Sequence, residues 1–210
     1  MLELGAFVLL YILNIKSQGS RKGFYSRQFL GIIKALFCLL INYSKMVTKK
    51  TTTKVKPREN RISWDECFMQ MAHVIADRSQ DPSTQAGAII VNENNIMIGA
   101  GYNGWPRGVE ANALSWSREG DFENTKYPYV CHAEENAIYN ANNSTHGCKI
   151  YCTLFPCNEC AKTIIQNGIK EVIFASDKHK DLPPFKASRK LFTLAKIKMR
   201  QYNPNKKYEK

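Results

Sequence analysis

The chain has no apolar run of the roughly 18–20 residues that a membrane-spanning helix needs. Its longest candidates are residues 5–15, free of charge, and residues 29–43, which Lys34 interrupts. No membrane span is therefore expected. Acidic residues are missing altogether from Leu4 to Arg58. The seven cysteines form an odd set, scattered through 210 residues that are long enough to bury a core. That excludes the small disulfide scaffold of secreted proteins and favours a reduced compartment with buried or metal-bound thiols. With 44% hydrophobic and 23% charged residues, the chain is neither disordered nor collagenous.

What is present in excess is positive charge, +12 in all. Such a charge suggests nucleic acid or an anionic surface as partner. Its location argues otherwise. Residues 1–60 carry 11 Lys/Arg against 2 acids, and residues 178–210 again 11 against 2. Residues 61–177 carry 8 against 14 and are net acidic. The expected organisation is a basic extension over 1–60, a folded domain over 61–204 and a basic tail over 205–210. Three readings of the extension stay open. A secretory signal fits poorly, because Glu3 stands where positive charge belongs. An organelle transit peptide fits the lack of acids. Alternatively, Met46 is the working start and the preceding residues are seldom made.

The folded domain opens at Ser63-Trp-Asp-Glu66, a capping-box pattern, followed by apolar residues at helical spacing up to about Arg78. Two short apolar runs over 86–92 and 96–102, around Glu93-Asn94-Asn95, read as a hairpin. A long polar loop over 103–128 follows. Helices are expected over 132–142, 157–166 and 186–195, and strands over 149–154, 171–175 and 198–202. The order αββαβαβαβ predicts an α/β fold: a three-layer α/β/α sandwich around a five-stranded mixed sheet.

Two segments carry the chemistry, His132-Ala-Glu134 and Pro156-Cys157-Asn-Glu-Cys160. Cys157 and Cys160 are three residues apart, so on a helix they share a face and can hold one metal ion. Placed in the first turn, their thiolate forms are favoured by the positive end of the helix. His132 supplies a third ligand. Three protein ligands leave a fourth tetrahedral position open, as in a catalytic zinc site. A closed structural site would need a fourth donor, and nothing nearby has the spacing. Glu134 is placed to take and hand on a proton beside the metal. The order H-x-E…P-C-x-x-C is a known signature of zinc-dependent nucleobase deaminases, matched here rather than deduced from spacing.

Four runs carry a closer likeness: Gly101-Tyr-Asn-Gly104, Tyr127-Pro-Tyr-Val-Cys-His-Ala-Glu134, Leu154-Phe-Pro-Cys-Asn-Glu-Cys-Ala-Lys162 and Gly168-Ile-Lys-Glu-Val-Ile-Phe174. Together they resemble the deoxycytidylate branch of the zinc-dependent cytidine/deoxycytidylate deaminase family, over roughly residues 62–204. The resemblance implies hydrolysis of dCMP to dUMP and ammonia by a zinc-activated hydroxide, supplying dUMP for thymidylate synthesis, with Glu134 as the proton carrier. It also implies a cytoplasmic homohexamer, activated by dCTP with Mg2+ and inhibited by dTTP. Its partners would be small nucleotides, with neither nucleic acid nor a membrane. Arg78, in Arg-Ser-Gln-Asp-Pro82, becomes a candidate for the 5′-phosphate, which a guanidinium can grip as a fork. The competing reading is a solvated arginine closing a helix. Asn103 becomes a candidate for the sugar hydroxyl or the effector site, against a plain turn residue.

Two residues depart from the family pattern. His179 stands where tyrosine is usual, and Glu135 where an apolar residue is common. Two other functions compete with dCMP deamination. One is a deaminase of polymeric nucleic acid, a tRNA adenosine or single-stranded DNA cytosine editor using the basic flanks. The other is a zinc-stabilised subunit without turnover. The acidic domain offers the first no track for a phosphate backbone, and the retained Glu134 speaks against the second. Cys67, Cys148 and Cys152 are expected as buried thiols, Cys131 as a core neighbour, and His73 and His146 as bystanders.

Overall fold

The computed structural model describes residues 34–35, 38–43 and 55–204. The chain divides into two units, Met1–Arg58 and Glu59–Lys210. In the first, residues 34–35 and 38–43 are helical. The remainder of the extension up to residue 54, the Met46 start and the 205–210 tail lie outside the described residues. Among the described residues no helix is long and apolar enough to cross a membrane.

In the second unit Ser63 starts helix α1 (Trp64–Ala76): its hydroxyl accepts from the Glu66 N–H at 3.1 Å. Glu66 turns its own carboxylate to Gln70 instead of closing the capping box. The helix stops at Ala76, two residues before the expected end, where Asp77 caps it. Strands β1 (Gly87–Val91) and β2 (Met97–Tyr102) form the expected hairpin. The Asn92 side chain holds its turn by accepting from the N–H groups of Asn94 and Ile96, both at 3.0 Å. Then come α2 (Ala133–Tyr139), β3 (Lys149–Leu154), α3 (Asn158–Gln166), β4 (Glu171–Ser176), α4 (Pro183–Leu194) and β5 (Lys198–Gln201). Helix α4 begins three residues earlier than expected. Pro183 and Pro184 occupy its first positions, where a missing N–H costs nothing and the fixed φ suits a helix.

The five strands lie in the order β2-β1-β3-β4-β5. The pairs β1–β2 and β1–β3 are antiparallel, while β3–β4 and β4–β5 are parallel. Side chains alternate across the sheet with period two. Ala88, Ile90, Ile150, Cys152, Val172 and Phe174 point to one face and pack with Ala137, Ile164 and Phe192 of α2, α3 and α4. Ile89, Val91, Tyr151 and Ile173 point to the other and meet Phe68, Met69 and Ala72 of α1. The result is the expected three-layer sandwich, with one helix on one face and three on the other. Cys148 and Cys152 are buried thiols, and burial pushes both up from the usual thiol range.

Helix α2 lies against β2 with almost nothing between the backbones. A Cβ on Gly101 would stand 2.2 Å from the Ala137 nitrogen and 2.4 Å from the Ala133 carbonyl oxygen. Only glycine permits that approach. The far edge of the sheet is tied to the opposite helix by charge. Arg200 of β5 donates two hydrogen bonds to Asp65 of α1, at 2.7 and 3.1 Å, and one to Glu171 of β4 at 3.1 Å. The Tyr151 hydroxyl also donates to Asp65, at 2.7 Å.

Gly101→Ala is expected to destabilise the domain by about 3 kcal/mol or to prevent folding, since overpacking against backbone has no side chain to move aside. Urea unfolding checks this. A parental midpoint would show that α2 can lift off the sheet without cost.

Candidate metal centre and active site

Both chemistry-bearing segments begin helices on the three-helix face. His132 is the N-cap of α2 and Cys157 the N-cap of α3, each with extended backbone (φ −80°, ψ 157° and φ −74°, ψ 177°). Cys160 follows in the first turn of α3 and is fully buried. Glu135, the unusual charge, accepts from the His132 N–H at 3.4 Å and so helps to close the α2 start. The approach to His132 is fixed as well: Gly104 and Cys131 exchange two backbone hydrogen bonds, of 3.1 and 2.8 Å.

The two helix starts bring three donors together. His132 Nδ1 lies 3.2 Å from Cys160 Sγ and 3.4 Å from Cys157 Sγ, and all three atoms fall within 4.8 Å of one another. Zn–S bonds of about 2.3 Å and Zn–N bonds of about 2.0 Å place tetrahedral donors roughly 3.5 Å apart. The donor set and its spacing thus suit zinc. Among the described residues this is the only such group of His, Cys and carboxylate side chains.

Glu134 completes the cluster. Its side chain is buried, with Oε2 3.5 Å from Cys160 Sγ. Burial pushes its carboxyl up from the ordinary range, against the pull of His132. The Cys157 thiol is held down at about 4, first by its hydrogen bond with Cys160 and then by His132, which together outweigh its burial. His132 is raised to about 9, chiefly by its bond to Cys157. Cys160, bonded to Cys157 and buried, stays high. The four groups shift one another's proton affinities, and a metal ion held among them would displace protons.

The substrate-side candidates stand apart from these four. Arg78 is exposed, two residues beyond the end of α1. With Gln80, Tyr102, Gly104 and Trp105 it lines a cleft of about 310 Å³ whose wall holds none of the four. Trp105 stacks on Trp116, ring centres 3.9 Å apart, so these loop tryptophans pack on each other. Asn103 is buried and its amide is already engaged. Nδ2 donates to Thr84 O at 2.9 Å and Asp81 Oδ2 at 3.3 Å, while Oδ1 accepts from the Ala86 N–H at 2.8 Å. One lone pair on Oδ1 is its remaining capacity. His179 is half-buried beside Phe185, and burial with nearby Lys178 and Arg118 holds it below the usual imidazole value.

Sequence reasoning passed over Asp81 and Lys126, a buried ion pair between two loops. Neither sits in a periodic segment, and 45 residues separate them, so no local pattern marks the pair. It also passed over Arg189, which lies 4.1 Å above the Phe155 ring and pairs with Asp177. That contact braces the turn between β3 and Cys157.

Residues 62–176 match the family described as "Cytidine and deoxycytidylate deaminase zinc-binding region". The chain is 52% identical to the deoxycytidylate deaminase of Mus musculus over 157 residues, 74% of this chain and 87% of that one. It is 51% identical to the Homo sapiens deoxycytidylate deaminase over 151 residues, 71% of this chain and 85% of that one. Among solved structures it is similar to the dCMP deaminase of cyanophage S-TIM5 in complex with dCMP and dUMP, with 26% identity and a TM-score of 0.55 over 65% of this chain and 95% of that one.

Serine at Cys157 or at Cys160 is expected to weaken zinc binding by more than the roughly 10- to 100-fold that loss of an outer partner costs. Metal analysis after dialysis against a chelator reads this directly. Parental zinc content in either variant would remove that cysteine from the donor set.

Proposed function

The chain belongs to the cytidine and deoxycytidylate deaminase zinc-binding family, and on that premise we propose that it hydrolyses dCMP to dUMP and ammonia. The observation that carries the reading is the buried convergence of His132, Cys157, Cys160 and Glu134 on two helix starts. His132, Cys157 and Cys160 would hold the zinc ion. Zinc, when bound, supplies a Lewis acid that makes water nucleophilic near neutral pH.

The chain's own groups do the rest. Glu134 accepts a proton from the water that adds to C4 of the base and delivers it to N3. It then carries a second proton to the departing amine, so one water is consumed for each ammonia released. Burial raises the Glu134 carboxyl above its ordinary range, which strengthens its hold on a proton taken from the water and later handed to the base. Arg78 takes the 5′-phosphate. Asn103 turns its one free lone pair to the sugar hydroxyl.

The same proposal assigns the deaminase to residues 61–204, with basic flanks over 1–60 and 205–210. It extends to a cytoplasmic homohexamer regulated by dCTP with Mg2+ and by dTTP. The support for that extension is the resemblance carried by Gly101-Tyr-Asn-Gly104 and the Tyr127-to-Glu134 run.

Glu134→Gln should keep zinc and lose at least about 10³-fold in kcat, the scale of a lost proton carrier. Ammonia release from dCMP, cytidine, single-stranded DNA and tRNA separates the substrate classes. Turnover of a polymer without turnover of dCMP would overturn the reading. Arg78→Gln should raise KM for dCMP about 10- to 100-fold, as expected for a lost charged hydrogen bond, and leave deoxycytidine unaffected. An equal effect on both substrates would free Arg78 from the phosphate role.

A further inference from the structure

Buried charge is costly, and a buried ion pair is seldom more stabilising than an apolar pair of the same size. The Asp81–Lys126 pair therefore needs a reason other than stability. Its side chains are 1% and 6% exposed, and Lys126 Nζ donates to Asp81 Oδ2 at 2.5 Å. The Asp81 carboxylate is the hub of a larger knot. Its Oδ1 accepts from the Ser83 N–H at 2.9 Å, the Ser83 hydroxyl at 2.8 Å and the Thr84 N–H at 3.2 Å. Its Oδ2 also accepts from Asn103 at 3.3 Å. Lys126 returns to the Ser83 hydroxyl at 2.7 Å. Burial alone would push the Asp81 carboxyl up; Lys126 and Ser83 together bring it below its ordinary value.

Three segments meet at this knot. The first runs from Arg78 to the start of β1. Within it the Ser79 hydroxyl donates to the Asn103 carbonyl at 2.8 Å. The second is Asn103-Gly104 at the end of β2. The third runs from Lys126 to His132, where the Lys126 carbonyl accepts from Val130 N–H at 3.0 Å and Gly104 bridges to Cys131. One ion pair thus fastens the residues assigned to sugar and phosphate to the segment that delivers the metal-binding histidine. His132 has independent anchors in the Gly104–Cys131 bridge and Glu135. Asn103 is bonded into the knot through Asp81, and Arg78 lies three residues before Asp81 on the segment that Ser79 ties to the Asn103 carbonyl.

We propose that Asp81 and Lys126 are positioning residues for the sugar–phosphate end of the nucleotide, holding Arg78 and Asn103 in register with the metal centre. The proposal rests on the dCMP reading above. It gives the pair a role in substrate affinity rather than in chemistry: loosening the knot raises KM and leaves kcat and zinc content nearly unchanged.

The test uses the full zinc-loaded chain. Asp81→Asn/Lys126→Met removes both charges and so leaves no lone buried ion. Ser83→Ala removes only the hydroxyl between them. Positioning predicts a KM for dCMP raised about tenfold or more in the double variant, the measure of about one lost charged contact at Arg78. It predicts a rise of about threefold in Ser83→Ala, with kcat within about threefold of the parent in both. Lys126→Arg, which keeps the charge, should hold KM closer to the parental value than the double variant does. A folded double variant with parental KM overturns the proposal, as does a fall in kcat at unchanged KM. If the double variant does not fold, Ser83→Ala decides, and a parental KM there overturns it. A parental chain that binds zinc but releases no ammonia from dCMP fails the functional reading, and the positioning role falls with it.

Discussion

Two helix starts must meet within a few ångströms for this protein to have a metal centre at all. His132 ends an extended segment and Cys157 ends another, and each is the cap of the helix that follows. Neither helix can shift along the sheet without separating the donors. Helix α2 is prevented from doing so by backbone contact with β2 at Gly101, and α3 by the parallel pairing that sets the ends of β3 and β4 side by side. The C-terminal ends of parallel strands are where α/β folds open a crevice for ligands. Here β3 runs out at Leu154, and the turn through Phe155 and Pro156 drops Cys157 into that crevice.

Much of this was legible in the residues. The strands β1, β3 and β4 read as short apolar runs because both faces of the sheet are covered, and the alternation that would mark a half-exposed strand is absent. The donor triad was legible because a cysteine pair at helical spacing and a histidine–glutamate pair each sit at a predicted helix start. What remained hidden depends on distance along the chain. Asp81 reads locally as a turn former before proline, and Lys126 as an ordinary loop lysine. Only the folded chain reveals that they share one proton-rich contact. The early start of α4 was hidden for a different reason: Pro183-Pro184 signals a break when read as an interior and a beginning when read as a first turn.

Asn103 shows how burial narrows a role. As a sequence position between β2 and Gly104, it could be a turn residue or a ligand contact. In the fold three of its four side-chain bonding opportunities are spent on Asp81, Thr84 and Ala86. It is part of the frame before it is part of any contact with substrate. The +12 charge shows the converse. It is a property of the ends of the chain, and the site lies in the one stretch where acids outnumber bases.

The bond between Asp65 and Arg200 spans 135 residues. On the ribosome, the aspartate emerges long before its partner has been translated. Helix α1 must wait, with its apolar stripe of Phe68, Met69 and Ala72, until the sheet it covers is assembled and the last strand arrives. Such long-range closure is the slow, exposed stage of folding. The first helix of the domain to be made is thus completed only by the last of its strands, after the whole candidate metal centre has already emerged.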